Sequence, residues 1–168
     1  QDAGVVNAEA DDTNILTVWF PLMDAGVENG CLTVVPGSHR GKLLTHCPGY
    51  NDKPGLQIPE KLFDYGDSMP VPVKKGGALL LTKMTVHSSL PNVSDRIRWS
   101  FDLRYQPTGQ ATGRCIFPGF VARSASNPSS ELHDASIWHE MWKDTRDSLA
   151  IGEQPSFNRW DSDDPSCA

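Results

Sequence analysis

His87 and Arg98 stand eleven positions apart in the run Thr85-Val86-His87-Ser88-Ser89-Leu90-Pro91-Asn92-Val93-Ser94-Asp95-Arg96-Ile97-Arg98-Trp99-Ser100. A histidine closing an apolar strand, then a turn at Asn92, then a strand opening on an arginine is a layout with a definite chemistry. The imidazole can hold a metal ion and the guanidinium the far carboxylate of a dicarboxylate cosubstrate. Ser100, two residues past Arg98 and so on the same strand face, can share that carboxylate. At the other end of the chain, Gln1-Asp2 reads as the close of a His-x-Asp metal motif whose histidine would precede Gln1.

The elements that must position these residues are mostly strands. Ile15 to Leu22 is rich in β-formers and bounded by Asp11-Asp12 and Asp24-Ala25-Gly26. Glu28-Asn29-Gly30 is a turn signal, Cys31 to Val35 resumes the β pattern, and Pro36-Gly37-Ser38 stops it, which predicts a hairpin. Residues 41–72 carry many prolines and glycines with no sustained period, an excursion expected over the mouth of a site. Gly76-Gly77 feeds an apolar strand through Thr82, just before His87.

From Arg98 to Gln106 the chain alternates without a fault. Trp99, Phe101, Leu103 and Tyr105 take one face, and Arg98, Ser100, Asp102 and Arg104 the other. In a barrel enclosing a polar site the second face looks inward. Ser130 can cap a helix over 131–150 with an apolar stripe of Leu132, Ile137, Trp138, Met141, Trp142 and Leu149, which we expect to pack on the barrel. Residues 154–168 are expected to lie extended along the domain. The reading is therefore the C-terminal portion of a barrel core over 1–126, including the 41–72 excursion, and a helix with an extended tail packing on it over 127–168.

Composition bounds the function. The 168 residues are 38% apolar, enough for one domain, and the net charge of −6 leaves no broad basic surface for nucleic acid. No apolar run is long enough to span a bilayer and no signal peptide is visible, so the default location is the cytoplasm. Cys31, Cys47, Cys115 and Cys167 show no C-x-x-C spacing and are expected as free, mostly buried thiols. Oligomeric state is not legible.

These features together resemble the phytanoyl-CoA dioxygenase family of Fe(II)- and 2-oxoglutarate-dependent oxygenases. The resemblance is carried by Gln1-Asp2, by Leu16 to Leu22, by Asn29-Gly30-Cys31-Leu32 with Pro36-Gly37-Ser38-His39, and by His87 to Tyr105, in that order. It implies a mainly β fold, a double-stranded β-helix or jelly-roll barrel, with iron at the open end held by two histidines and one carboxylate. Asp2 and His87 would be two of those ligands. Arg98 would bind the far carboxylate of 2-oxoglutarate, helped by Ser100, with Trp19 as a wall and Gln1 alongside. Oxidative decarboxylation would then give succinate, carbon dioxide and an oxidant able to attack a small organic substrate.

Each assignment has a plainer alternative. Histidines near strand ends are commonly structural, Asp2 alone reads as a frayed terminal acid, and Arg96 and Arg104 compete with Arg98. His39 fits a substrate contact or a hydrogen-bonded turn histidine; His46, His133 and His139 are expected at the surface. As a class, the competing reading is a β-sandwich that binds a small molecule without redox chemistry. A cupin-type isomerase would need a denser set of histidines. Tyr50, Leu56, Ile58, Phe63 and Tyr65, with only Lys42, Lys53 and Lys61 as cations, point to a mainly apolar acceptor at the mouth.

Overall fold

The computed structural model describes residues 1–52, 55–152 and 159–167; Lys53, named above, lies outside them. Eight strands are present: β1 (Leu16–Pro21), β2 (Leu32–Val34), β3 (Cys47–Pro48), β4 (Leu56–Gln57), β5 (Met69–Val71), β6 (Leu79–Thr82), β7 (His87–Ser89) and β8 (Ser100–Tyr105). One antiparallel sheet has the order β6-β1-β8 and a second the order β5-β2-β7; β3 and β4 form a separate ribbon within the 41–72 excursion. The chain crosses between the two larger sheets from β5 to β6, β6 to β7 and β7 to β8. The protein is mainly β, with antiparallel sheets and one long C-terminal helix.

The predicted hairpin does not form. β1 uses both of its edges, pairing with β6 from Leu16↔Thr82 to Trp19↔Leu79 and with β8 from Leu16↔Tyr105 to Pro21↔Ser100. The Asn-Gly turn therefore carries the chain from one sheet to the other. Asn29 organises it, its Oδ1 accepting from Gly26 N at 2.7 Å and its Nδ2 donating to Asp24 O at 2.9 Å. Gly30 has φ +81°, and a Cβ there would lie 2.7 Å from Leu90 O, so both conformation and space require glycine.

The core lies between the sheets, around Trp19, Ala25, Cys31, Leu32 and Leu81. Register places Thr17 and Trp19 of β1 opposite Arg104 and Asp102 of β8 and beside Leu81 and Leu79 of β6, so these form one inward face. Strand β6 is half-buried, with Leu81 inside and Leu80 61% exposed, where an apolar run had suggested full burial. On β8 the alternation keeps its expected phase: Arg98, Ser100 and Asp102 face the interior cavity while Trp99, Phe101, Leu103 and Tyr105 are exposed.

Helix α1 (Ala135–Ile151) starts later than expected, because Asp134 caps it by accepting from Ser136 N at 2.8 Å. Ser130 instead donates to Asn127 O within a short turn. No helix residue is buried; Trp138 meets Phe120 and Trp142 meets Phe117, at ring-centroid distances of 4.7 and 5.4 Å. Among the described residues no helix is long and apolar enough to cross a membrane.

Two of the four cysteines are not free thiols. Cys47 and Cys167 form a disulfide across 120 positions, whereas Cys31 is free and buried and Cys115 free and exposed. Sequence spacing carried no sign of this pairing, because the tail folds back across the whole domain.

Candidate functional site

Asp2 does not fray. Residues 1–4 form a buried turn, and the Asp2 residue is only 2% exposed. The Gln1 side chain fixes the turn: its Nε2 donates to Lys42 O at 3.0 Å and Met84 O at 2.9 Å, and its Oε1 accepts from Leu44 N at 3.0 Å. Ala3 N donates to Lys83 O at 3.0 Å. Gln1 thus lines the cavity with its amide already occupied by backbone.

Both Asp2 oxygens have donors. Thr17 Oγ1 donates to Oδ2 at 2.6 Å, and Arg104 donates to Oδ1 through Nη2 at 2.6 Å and Nε at 3.3 Å. Burial alone would raise the Asp2 carboxyl. The Arg104 cation, the two sets of hydrogen bonds and nearby His87 outweigh it and hold the group below the usual carboxylate range. Asp2 is therefore an oriented carboxylate anion.

His87 opens β7, half-buried, with Nδ1 2.9 Å from Thr85 O. A carbonyl can only accept, so in the neutral ring Nδ1 carries the proton and Nε2 keeps its lone pair. That tautomer suits a metal ligand. A carboxylate and an imidazole are the right donors for Fe(II), but among the described residues no group of three or more His, Cys, Asp or Glu could hold a metal ion.

Arg98 occupies a different environment. Its Nη1 donates to Ser100 Oγ at 2.8 Å and its Nη2 to Ser89 Oγ at 3.4 Å, while Cζ lies 5.3 Å from the centroid of the buried Trp19 ring. Arg98 Nε is buried and has no hydrogen-bond partner, and among the described residues no carboxylate pairs with the guanidinium. A half-buried cation whose buried Nε has no partner is suited to an anion. These groups line a cavity of about 620 Å³ that takes in both sheets and, from the 41–72 excursion, Tyr50, Leu56, Gln57, Ile58, Glu60 and Tyr65.

Three residues escaped sequence reasoning in these roles. Thr17 and Arg104 hold Asp2, although strand phase had already put Arg104 on the inward face. His46, expected at the surface, is 3% exposed and lines the cavity. Its Nδ1 is 2.8 Å from Leu44 O and its Nε2 3.4 Å from the Gln1 nitrogen. Burial lowers its pKa to about 4, against the Leu44 carbonyl, which raises it. His39 is exposed in a short turn, and His133 and His139 are exposed as expected.

A family model described as phytanoyl-CoA dioxygenase matches residues 1–100. The phytanoyl-CoA dioxygenase domain-containing protein 1 of Danio rerio is 36% identical over 96 residues, covering 50% of this chain and 30% of that protein. Its homolog in Dictyostelium discoideum is 31% identical over 114 residues, covering 61% and 41%. The chain thus spans about a third of the length of these relatives. Among solved structures, EvdO2 from Micromonospora carbonacea var. aurantiaca is similar at TM-score 0.55 and 28% identity, over 67% of this chain and 48% of that one. The same protein complexed with 2-oxoglutarate gives TM-score 0.52 over the same shares.

Proposed function

Because this chain belongs to the phytanoyl-CoA dioxygenase family, we propose that it forms the greater part of the catalytic core of an Fe(II)- and 2-oxoglutarate-dependent oxygenase acting on a small organic molecule. Its two crossing sheets are then the walls of a double-stranded β-helix, a jelly roll, with the cavity at the open end. The observation that carries the reading is Arg98: a half-buried guanidinium, flanked by two serine hydroxyls and an indole, whose buried Nε has no partner. 2-Oxoglutarate complexed with EvdO2 at 28% identity supports the choice of anion.

Each residue then has a task. Asp2 and His87 would hold Fe(II), Asp2 through lone pairs left by Thr17 and Arg104 and His87 through Nε2. What Fe(II) supplies when bound is adjacent open positions for a 2-oxo acid and dioxygen, the chemistry that converts 2-oxoglutarate to succinate and carbon dioxide. Arg98 binds the far carboxylate in paired hydrogen bonds, Ser100 steadies the guanidinium, and Trp19 excludes water from that end. The apolar and aromatic mouth receives the acceptor. The reading requires a third metal donor from outside the described residues.

One observation favours a second reading, a binding module without redox chemistry: both Asp2 oxygens already have partners. Succinate production separates the two. The chain extended upstream of Gln1, supplied with Fe(II), 2-oxoglutarate and dioxygen, is expected to form succinate, and His87→Ala to form none. Absence of succinate from the extended chain, or its persistence in His87→Ala, would refute the oxygenase reading.

A further inference from the structure

The family model ends at residue 100, yet a residue sixty positions beyond it closes the metal side of the site. Trp160 Nε1 donates to Gly4 O at 2.6 Å, and the indole stacks on His46 at a centroid distance of 5.3 Å and 28°. His46 is thereby held between the tail and the turn that carries Asp2. Its Nε2 lies 3.4 Å from the Gln1 nitrogen, and a Cβ on Gly4 would fall 2.4 Å from its ring, so position 4 has room only for glycine. The tail is anchored on both sides of this contact. Arg159 Nη2 pairs with Asp11 Oδ2 at 2.9 Å, and Cys167 is bonded to Cys47, the residue that follows His46.

From this we infer that residues 159–167 are a strap that positions the metal-binding carboxylate: Trp160, seated on His46 and bonded to Gly4, holds the Asp2 turn against the barrel. The inference rests on the reading of Asp2 as a metal ligand. Trp160 and His46 are positioning residues, since neither needs to touch the metal. A group that orients a ligand through one intermediary commonly changes metal affinity by about 10–100-fold when removed. A residue that merely covered the surface would lower stability and leave metal affinity alone.

The test is Mn(II) affinity, measured by electron paramagnetic resonance on the whole metal-free protein, so that turnover is not the readout. Asp2→Ala is expected to lose Mn(II) binding. Trp160→Ala is expected to weaken it by about tenfold. Trp160→Phe, which keeps a ring over His46 but drops the N–H to Gly4 O, is expected to weaken it a few-fold. Loss in Asp2→Ala with wild-type affinity in Trp160→Ala would overturn the strap and leave the ligand reading intact. Wild-type affinity in Asp2→Ala would overturn both. Should Trp160→Ala fail to fold, Trp160→Phe decides: weaker binding supports the strap and unchanged binding overturns it.

Discussion

The two halves of the candidate site are built in opposite ways. At the Arg98 end the hydrogen-bond partners are near in sequence, Ser100 two positions away and Ser89 nine, and a buried donor is left unpaired. At the Asp2 end the partners of the carboxylate are remote. Thr17 is 15 positions off, Arg104 is 102, and Trp160 lies 156 from the Gly4 carbonyl it bonds. The first end keeps a buried donor without a partner; the second has a donor on each carboxylate oxygen, which fixes the orientation of the group. Recognition is thus carried by local strand geometry, whereas metal-side order depends on the whole domain being folded.

If that contrast holds, variants at the two ends should fail differently. The largest effect expected on fold is at the metal side: Cys167→Ser opens a loop of 120 residues and should destabilise the protein by about 2–4 kcal/mol in urea. Unchanged stability would show that the tail contributes little. At the other end, Arg98→Ala should weaken 2-oxoglutarate binding by roughly 2–4 kcal/mol in calorimetry, with metal affinity largely kept. Equal loss of metal and cosubstrate would erase the distinction between the ends.

A pH series sharpens it further. His46 is held at about 4 in the fold against 6.5 ordinarily, so the unfolded chain takes up a proton first as pH falls. Stability should decline from about pH 6.5 to pH 4 by roughly 2–3 kcal/mol, and that slope should be shallower in His46→Gln. Asp2, depressed in the fold, acts in the same direction: its contribution is present above the ordinary carboxylate pKa and lost as pH falls through its lowered value. Urea midpoints from pH 6.5 to pH 4 measure the first, and midpoints below the ordinary carboxylate value of 3.8 the second. The smallest expected effect is Thr17→Val, about 1–3 kcal/mol for leaving Asp2 Oδ2 without its donor. A neutral result would mean that Arg104 alone orients the carboxylate.

What could be read from the sequence follows the same division. Alternation from Arg98 to Gln106 set the phase of β8, and with it the inward Arg98, Ser100 and Asp102, because a period of two is a local property. The Asn29-Gly30 turn was visible, but its use in crossing between sheets was not, since nothing local says that both edges of β1 are taken. His46 gave no signal: it lies in an aperiodic stretch and is buried only because Trp160 and the Gln1–Gly4 turn close around it. The Cys47–Cys167 bond was illegible for the same reason. Helix α1 could be read in existence, but its cap is Asp134 and not Ser130, and Ile137 and Trp142 of its apolar stripe stay exposed.

The most direct test of the account is an anaerobic absorption titration of the whole protein with Fe(II) and 2-oxoglutarate, following the visible charge-transfer band of a ferrous 2-oxo acid chelate. The band is expected in wild type, absent in His87→Ala, and present in Arg98→Ala only at much higher 2-oxoglutarate. A band of wild-type strength in His87→Ala, or wild-type cosubstrate dependence in Arg98→Ala, would contradict it.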